Sequence, residues 1–363
     1  MPPAAIVHLH LHQPPREDPW LGHLPREVEA APDHDVYARA ERTCYRALAA
    51  ARVTDADGRV RRVVDTLART SFDVAPTLLA WLARHAPATY DAILAADRTS
   101  ADRLGRGNAI AHPYHHVVLP LLSRRDKVTE VRWGLDDFAR HFGRPAEGMW
   151  LPETAVDDET LDVLAQEGVH FTLLAPHQFD GLPAAGRPGL YRSDAGREIA
   201  LCTYDAEIAH DVAFGALLRD GIAWAARMQA RLDEYAHAMH AAATAAVATA
   251  AAATTTPDAG SAIETLPSAS PPMAAARGAT ASTASPIVAV AANAETFGQH
   301  HRFGDMALAA ALDALEHPGV GADGLRRAPT PLSNYAAVLV AEPAVDEVGI
   351  HDRSAWSCPH ALA

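Results

Sequence analysis

Three short apolar runs, far apart in the chain, each lead into an uncommon polar string. Residues 4–11 carry His10-Leu11-His12-Gln13-Pro14, 148–151 stop at Pro152-Glu153, and 286–292 stop at Asn293-Ala294-Glu295-Thr296-Phe297-Gly298. Near-continuous apolar runs of this length are read as strands of a parallel sheet covered on both faces. Strands that deliver imidazoles, a carboxylate and an amide at their ends bring those groups together only if the ends meet, as they do at the mouth of a barrel. The ordered set constrains the fold more than any one member does.

The intervening segments fit that reading. Residues 36–66 and 76–97 are predicted helical, with Leu78, Leu79, Leu82, Ile93 and Leu94 on the apolar face. A helix is predicted from Val131 to Phe142, ending near Gly143, and another from Asp157 to Gly168, with Gly168 as its C-cap. Strands are predicted at 170–174 and 199–204, giving β-α-β units with short loops. Leu217, Trp224, Met228, Leu232, Tyr235 and Met239 recur at helical spacing and read as core packing. Residues 241–285, dominated by Ala, Thr, Ser and Pro, are expected to be helix decaying into a disordered insertion. The expected organisation is the first part of a barrel over 1–240, this insertion over 241–285, and the remainder of the barrel over 286–363. The abrupt tail reads as a chain cut short.

Composition narrows the partners. A formal net charge of −14, with no basic stripe, argues against nucleic acid and anionic membrane surfaces and tolerates neutral substrates such as sugars. Cys44, Cys202 and Cys358, without a CxxC, make neither a disulfide scaffold nor a structural zinc site. They fit a reducing compartment. The N-terminus has no charged region followed by a long apolar one, so a cytoplasmic location is expected.

The candidate chemistry starts at Glu153. The sequence predicts it to be held extended by Pro152, beside Trp150, a carboxylate and an aromatic that suit a glycosidic nucleophile and a sugar platform. The competing reading is a carboxylate in the N-cap region of the 157–168 helix. His8, His10 and His12 alternate along one strand; such imidazoles can bond hydroxyl groups or ligate a metal, or can be a partly buried strand end. Gln13 adds an amide for hydroxyl recognition, and His112, Tyr114, His115 and His116 form a second histidine-rich loop. Arg16 and Glu17 are expected to pair and order the first loop. Asn293 and Glu295 sit at the end of the strongest late strand, and alternation alone does not say which points inward.

Together these strings resemble glycoside hydrolase family 57. Its first region is similar to His10, His12, Gln13 and Pro14; its second to Pro113, Tyr114, His116, Leu119 and Pro120; its third to Gly148, Trp150, Pro152 and Glu153. The fourth, an Asp-x-Glu after a strand, is matched by Asn293, Ala294 and Glu295. The resemblance covers roughly residues 5–310 and looks nearest to a subgroup of larger bacterial proteins that share Gln13–Glu17, Gly107–Ala111, 295–304 and the Trp356-Ser357-Cys358 string. It implies a distorted parallel α/β barrel of the (β/α)7 type, a retaining hydrolase or glucan transferase acting on α-glucans, and no obligatory metal or cofactor. It implies Glu153 as nucleophile, with His10, His12, Gln13, His116, Trp150 and Glu295 at the sugar site. The acid/base position is Asn293, and an amide neither protonates a leaving oxygen nor deprotonates water. Three consequences stand open: a catalytically dead glucan-binding protein, a relocated acid/base with Asp205 or Glu207 as stand-in, or a chain-specific defect. A metal-dependent deacetylase of related fold is the other rival; it requires an Asp at a strand end joined to His8 or His10, and no such pairing is visible near residues 8–12.

Overall fold

The computed structural model describes residues 2–55, 57–253, 285–319 and 328–357. Its frame is a series of parallel strands: β1 (Ala4–Leu11), β2 (Ser71–Val74), β3 (Ala109–Ile110), β4 (Phe171–Leu173), β5 (Glu198–Cys202) and β6 (Ile287–Asn293). β6, β1, β2 and β3 are neighbours in that order, all parallel. Residues 148–149 supply a seventh parallel position, bridging Ala111 on one side and Phe171 on the other, and β4 then pairs with β5. The gap between β5 and β6 is crossed by Asp205 N–H donating to Ala289 O at 2.8 Å, with no ladder there among the described residues. The result is a distorted (β/α)7 barrel.

Every residue of β1 is buried, because both faces are covered. Ala5, Val7, Leu9 and Leu11 face outward into the main core, packed against the helices. Ile6 faces the barrel interior, where it joins Ile110, Trp150, Phe171, Leu173, Cys202 and Ile287. Tyr335 and Val338, from the helix Tyr335–Ala341, complete that inner cluster. By the same alternation His8 and His10 point inward, above Ile6. Gly148 permits the tight interior: a Cβ there would lie 2.4 Å from the Phe171 ring.

The helix at Asp158–Gln166 follows the predicted pattern, the helical stretch predicted over 76–97 is divided at Pro87 into Pro76–His85 and Pro87–Leu104, and a further helix runs from Gly304 to Glu316. Gly168 ends its turn at φ +85°, as its C-cap role requires. The helix predicted from Val131 begins earlier, at Arg124, where Ser123 caps it by accepting from Asp126 N–H. Trp224, Met228 and Leu232 are buried on the helix Gly221–Ala253, as predicted. That helix carries the first part of the Ala/Thr-rich stretch, 241–253, and residues 254–284 lie outside the described residues.

Three expectations are corrected. Residues 36–66 are not one helix: helical turns run from Val36 to Ala49, and Ala51–Thr54 then pairs antiparallel with Val60–Val64. β-branched Val53, Val60, Val63 and Val64 around the turn at Gly58 (φ +76°) favour the hairpin. Arg16 pairs with Glu27 at 3.2 Å, not with Glu17, and Glu27 also accepts from Val36 N–H, which ties the first loop to a helix start. Glu153 is not extended; its conformation is taken up below.

Candidate active site

The site lies at the C-terminal ends of the strands, where one register level joins three of them: Asn293 of β6, His10 of β1 and Asp73 of β2 are direct neighbours. Asp73 is wholly buried and accepts from both imidazoles, His10 Nδ1–H at 2.9 Å and His8 Nε2–H at 3.2 Å. His8 Nδ1 lies 3.1 Å from Ser71 Oγ. The Asp–His pairing not visible near residues 8–12 is therefore present, supplied from sixty residues downstream by a four-residue strand.

Four further rings gather around His10. Trp150 stacks on both His8 and His10, with centroids 5.0 Å apart in each case. His112 and His116 lie 5.8 and 5.5 Å from the His10 ring, and His12 stacks on His116 at 3.8 Å. The histidine-rich loop is brought in by a glycine: a Cβ at Gly134, in the helix Arg124–Phe142, would sit 2.1 Å from the carbonyl oxygen of His112.

Burial alone would strip protons from all these imidazoles, and for most of them it prevails. His12 is pressed down to about 2 by burial and then by its neighbouring imidazoles, chiefly His116. His112 falls to about 3 for the same reasons, though the Asp73 charge opposes it, and His8 and His116 are also lowered. His10 is the exception. Burial pulls it down, but the charge and hydrogen bond of Asp73, aided by Glu295 and Glu153, hold it above its ordinary value. Burial raises Asp73, yet the two histidines outweigh it and keep the carboxyl well below the usual range. Around pH 6.5 the cluster thus favours a paired ion, His10 with Asp73, among neutral rings.

Glu153 stands across from this cluster in a tight turn, Pro152–Thr154. Proline restricts itself and the residue before it, and Leu151 is indeed extended (φ −98°, ψ 128°). Nothing extends that restraint forward. Thr154 N–H bonds Leu151 O at 2.8 Å and Ala155 N–H bonds Pro152 O at 3.0 Å, which curls Glu153 and Thr154 into the left-handed region (φ 58° and 46°). Such backbone costs a non-glycine residue roughly 1–2 kcal/mol each and is found where a side chain must be aimed. The carboxylate oxygen Oε2 accepts from Trp356 Nε1–H and Ser357 Oγ–H, both at 2.9 Å. Trp356 in turn packs edge-on against Trp150 at 5.2 Å.

Glu153 and Asn293 line the same cavity of about 500 Å³, together with Tyr204, His177, His210, His300 and Trp356. Glu153 is the one carboxylate among its lining residues. Asp205 does not reach the cavity. Its side chain caps the helix Ala206–Ala213 by accepting from Ile208 N–H at 2.9 Å and pairs with Arg231 Nε at 2.9 Å. Glu207 pairs with Arg231 and Arg227 on the surface. Glu295 points away from Asn293 into the wall, where Gln13 Nε2–H donates to it at 3.1 Å and the Tyr45 hydroxyl donates to the same oxygen. Burial raises the Glu295 carboxyl against those hydrogen bonds and the nearby His10 charge. Gln13 and Glu295 thus brace one another, with Cys44 Sγ–H donating to Ala294 O beside them. Trp150 is fully buried beneath the histidines, so the aromatic surface facing the cavity belongs to Trp356, Tyr204 and Phe214.

Of the residues singled out from the sequence, Glu153 and Asn293 line the cavity, and His10, His12 and His116 gather in the histidine cluster without lining it. Sequence reasoning missed Asp73, Tyr45 and Trp356. The signal for Asp73 was present, in Ser71-Phe72-Asp73-Val74, a polar–apolar alternation just before a proline-initiated helix.

No helix among the described residues is long and apolar enough to cross a membrane. No curated protein matches the sequence. Three solved structures share the fold over nearly the whole chain. A 4-α-glucanotransferase from Thermococcus litoralis is 14% identical, with a TM-score of 0.60 over 98% of this chain and 42% of that one. An exo-type maltose-forming amylase from Pyrococcus sp. ST04 is also 14% identical, with a TM-score of 0.61 over 98% of this chain and 53% of that one. A branching enzyme from Pyrococcus horikoshii is 15% identical, with a TM-score of 0.56 over 97% of this chain and 73% of that one. The chain thus spans about half the length of the first two. The profile described as Glycosyl hydrolase family 57 matches residues 34–242, more than half of the sequence. The chain belongs to glycosyl hydrolase family 57.

Proposed function

We propose that this protein handles α-glucans by a retaining mechanism in which Glu153 attacks the anomeric carbon, and that it does so slowly because Asn293 stands at the acid/base position. The observation that carries this reading is the shared cavity: Glu153 and Asn293 line one space, and among the described residues no second carboxylate does. Retaining hydrolysis needs two carboxyl groups about 5–5.5 Å apart, one as nucleophile and one as acid and then base. Here the nucleophile's position is filled and its partner is an amide. Asp205, committed to Arg231 and a helix cap, is poorly placed to substitute. Three of the solved structures that share this fold are named as a glucanotransferase, an amylase and a branching enzyme, which supports an α-glucan as the substrate class.

Loss of general acid–base catalysis typically costs about 10²–10⁴-fold. A leaving group that needs no protonation bypasses the first half of that loss, and a small anion that needs no deprotonation bypasses the second. The test is therefore a dinitrophenyl α-maltoside with and without azide. Dinitrophenol release, stimulation by azide and a maltosyl azide product are expected, all abolished in Glu153→Gln. Release that is indifferent to Glu153→Gln overturns the nucleophile assignment.

A glucan-binding protein without turnover is the second reading, favoured by the engagement of Glu153 Oε2 with both Trp356 and Ser357. It predicts maltooligosaccharide binding by calorimetry with no dinitrophenol released.

A further inference from the structure

We propose that His10, His112 and His116 form a binding site for one divalent transition-metal ion, zinc being the best fit. Their ligand-capable ring nitrogens all lie within 4.8 Å of one another. Zinc holds imidazole nitrogen at about 2.0–2.1 Å in tetrahedral geometry, which sets nitrogens about 3.3 Å apart, a distance reached by modest ring rotation.

Two independent features point the rings inward. His10 Nδ1–H is held by Asp73 Oδ2 at 2.9 Å, so an incoming ion displaces the proton on Nε2 and takes that nitrogen's lone pair. His112 Nδ1–H is held by the Pro113 carbonyl at 2.6 Å, which leaves its Nε2 as the lone-pair nitrogen. A carboxylate or a backbone carbonyl on the far nitrogen is the usual outer support of a metal-bound histidine, because it fixes tautomer and ring orientation together. Secondly, His112 Nε2 is buried and has no hydrogen-bond partner in the protein. A buried imidazole nitrogen left without a partner carries a desolvation cost that a metal would remove.

The set is of the kind that keeps a position open. Three imidazoles leave one site of a tetrahedral ion for water, unlike the closed four-ligand sets of structural zinc. Glu153 is near enough for its charge to act on both His10 and His116. The inference does not depend on Glu153 being a nucleophile.

The test uses untagged full-length protein stripped with a chelator. Titration with Zn2+ by calorimetry, and metal analysis after gel filtration, are expected to give about one ion per chain. His112→Ala and His116→Ala are each expected to weaken binding at least roughly 100-fold, and Asp73→Asn roughly 10–100-fold, as loss of an outer support does. His34→Ala, on an exposed surface ring, is the control and is expected to change nothing. Should the variants fail to fold, the parent protein still decides the question. With diethyl pyrocarbonate, zinc is expected to protect His116, and Co2+ substitution to give visible bands of a four- or five-coordinate nitrogen site. Absence of stoichiometric zinc in the parent protein, binding unchanged in the two alanine variants, or His116 labelled equally with and without zinc overturns the proposal.

Discussion

Replacing Asp73 with Asn probes the centre of the site with almost no change of shape. The carboxylate is fully buried, and its partners are two buried imidazoles at 2.9 and 3.2 Å. Removing one member of a buried ion pair typically costs about 3–5 kcal/mol, because the other is left charged or must be neutralised. The cost should depend on pH in a definite sense. His10 is raised above its ordinary 6.5 in the folded protein, so its contribution is complete below pH 6.5 and is lost as pH rises through the folded value. Asp73 is lowered below its ordinary 3.8, so its contribution is complete above pH 3.8 and is lost only as pH falls through the folded value. Both describe one interaction, counted once, with its full effect between those two ordinary values. At about 2.1 cal/mol/K per residue over 363 residues, 3–5 kcal/mol corresponds to a Tm loss of about 4–7 °C. Melting curves of both proteins at pH 5, 6, 7, 8, 9 and 10 should show that loss at pH 5 and a smaller one once the pH has passed the folded His10 value. An equal loss at every pH, or one under about 1 °C at pH 5, refutes the ion-pair account.

Three other substitutions have definite expected outcomes. Gly298→Ala places a Cβ 1.9 Å from the Thr43 carbonyl oxygen at φ +151°, so a loss of at least about 3 kcal/mol is expected by urea melting, with the Tyr45–Glu295 contact disturbed. Lys127→Met removes a buried cation that bonds both oxygens of Asp157, at 2.9 and 2.8 Å, and pairs with Glu159; about 3–5 kcal/mol should be lost, and a native-like melting temperature would argue against a charged pair. Trp356→Phe keeps the ring against Trp150 but deletes the donor to Glu153, so a double-mutant cycle with Glu153→Gln should give a coupling of about 1–2 kcal/mol, and additivity would show that the contact contributes nothing.

The strand ends were legible because each element carries its own signal. β1 and β6 are long, mostly apolar and buried up to Asn293, so the groups at their C-terminal ends, His10 and Asn293, could be assigned to one rim. The helices around them have caps that can be read residue by residue, as at Asp157 and Gly168. What stayed hidden depends on contacts between segments. Asp73 rides on a strand of four residues whose alternation marks a strand but not a site, and its meaning comes only from the register that sets it beside His10. The backbone of Glu153 is fixed by hydrogen bonds two and three residues away, which override the expectation drawn from Pro152. Trp150 looked like a platform because aromatic rings beside carboxylates often are; the packing of His8 and His10 on it makes it core, and Trp356 takes the exposed position. The 51–64 hairpin was misread because Ala and Arg favour helix locally, whereas cross-strand pairing rewards the valines.

The most direct measurement of the central claim is turnover of maltooligosaccharides by the parent protein, Asn293→Asp and Asn293→Asp/Glu153→Gln, followed by released and transferred sugar. The account predicts that Asn293→Asp is faster than the parent by about 10²–10⁴-fold and that the added Glu153→Gln abolishes the gain. Equal rates for the parent and Asn293→Asp, or a gain that survives Glu153→Gln, would contradict it.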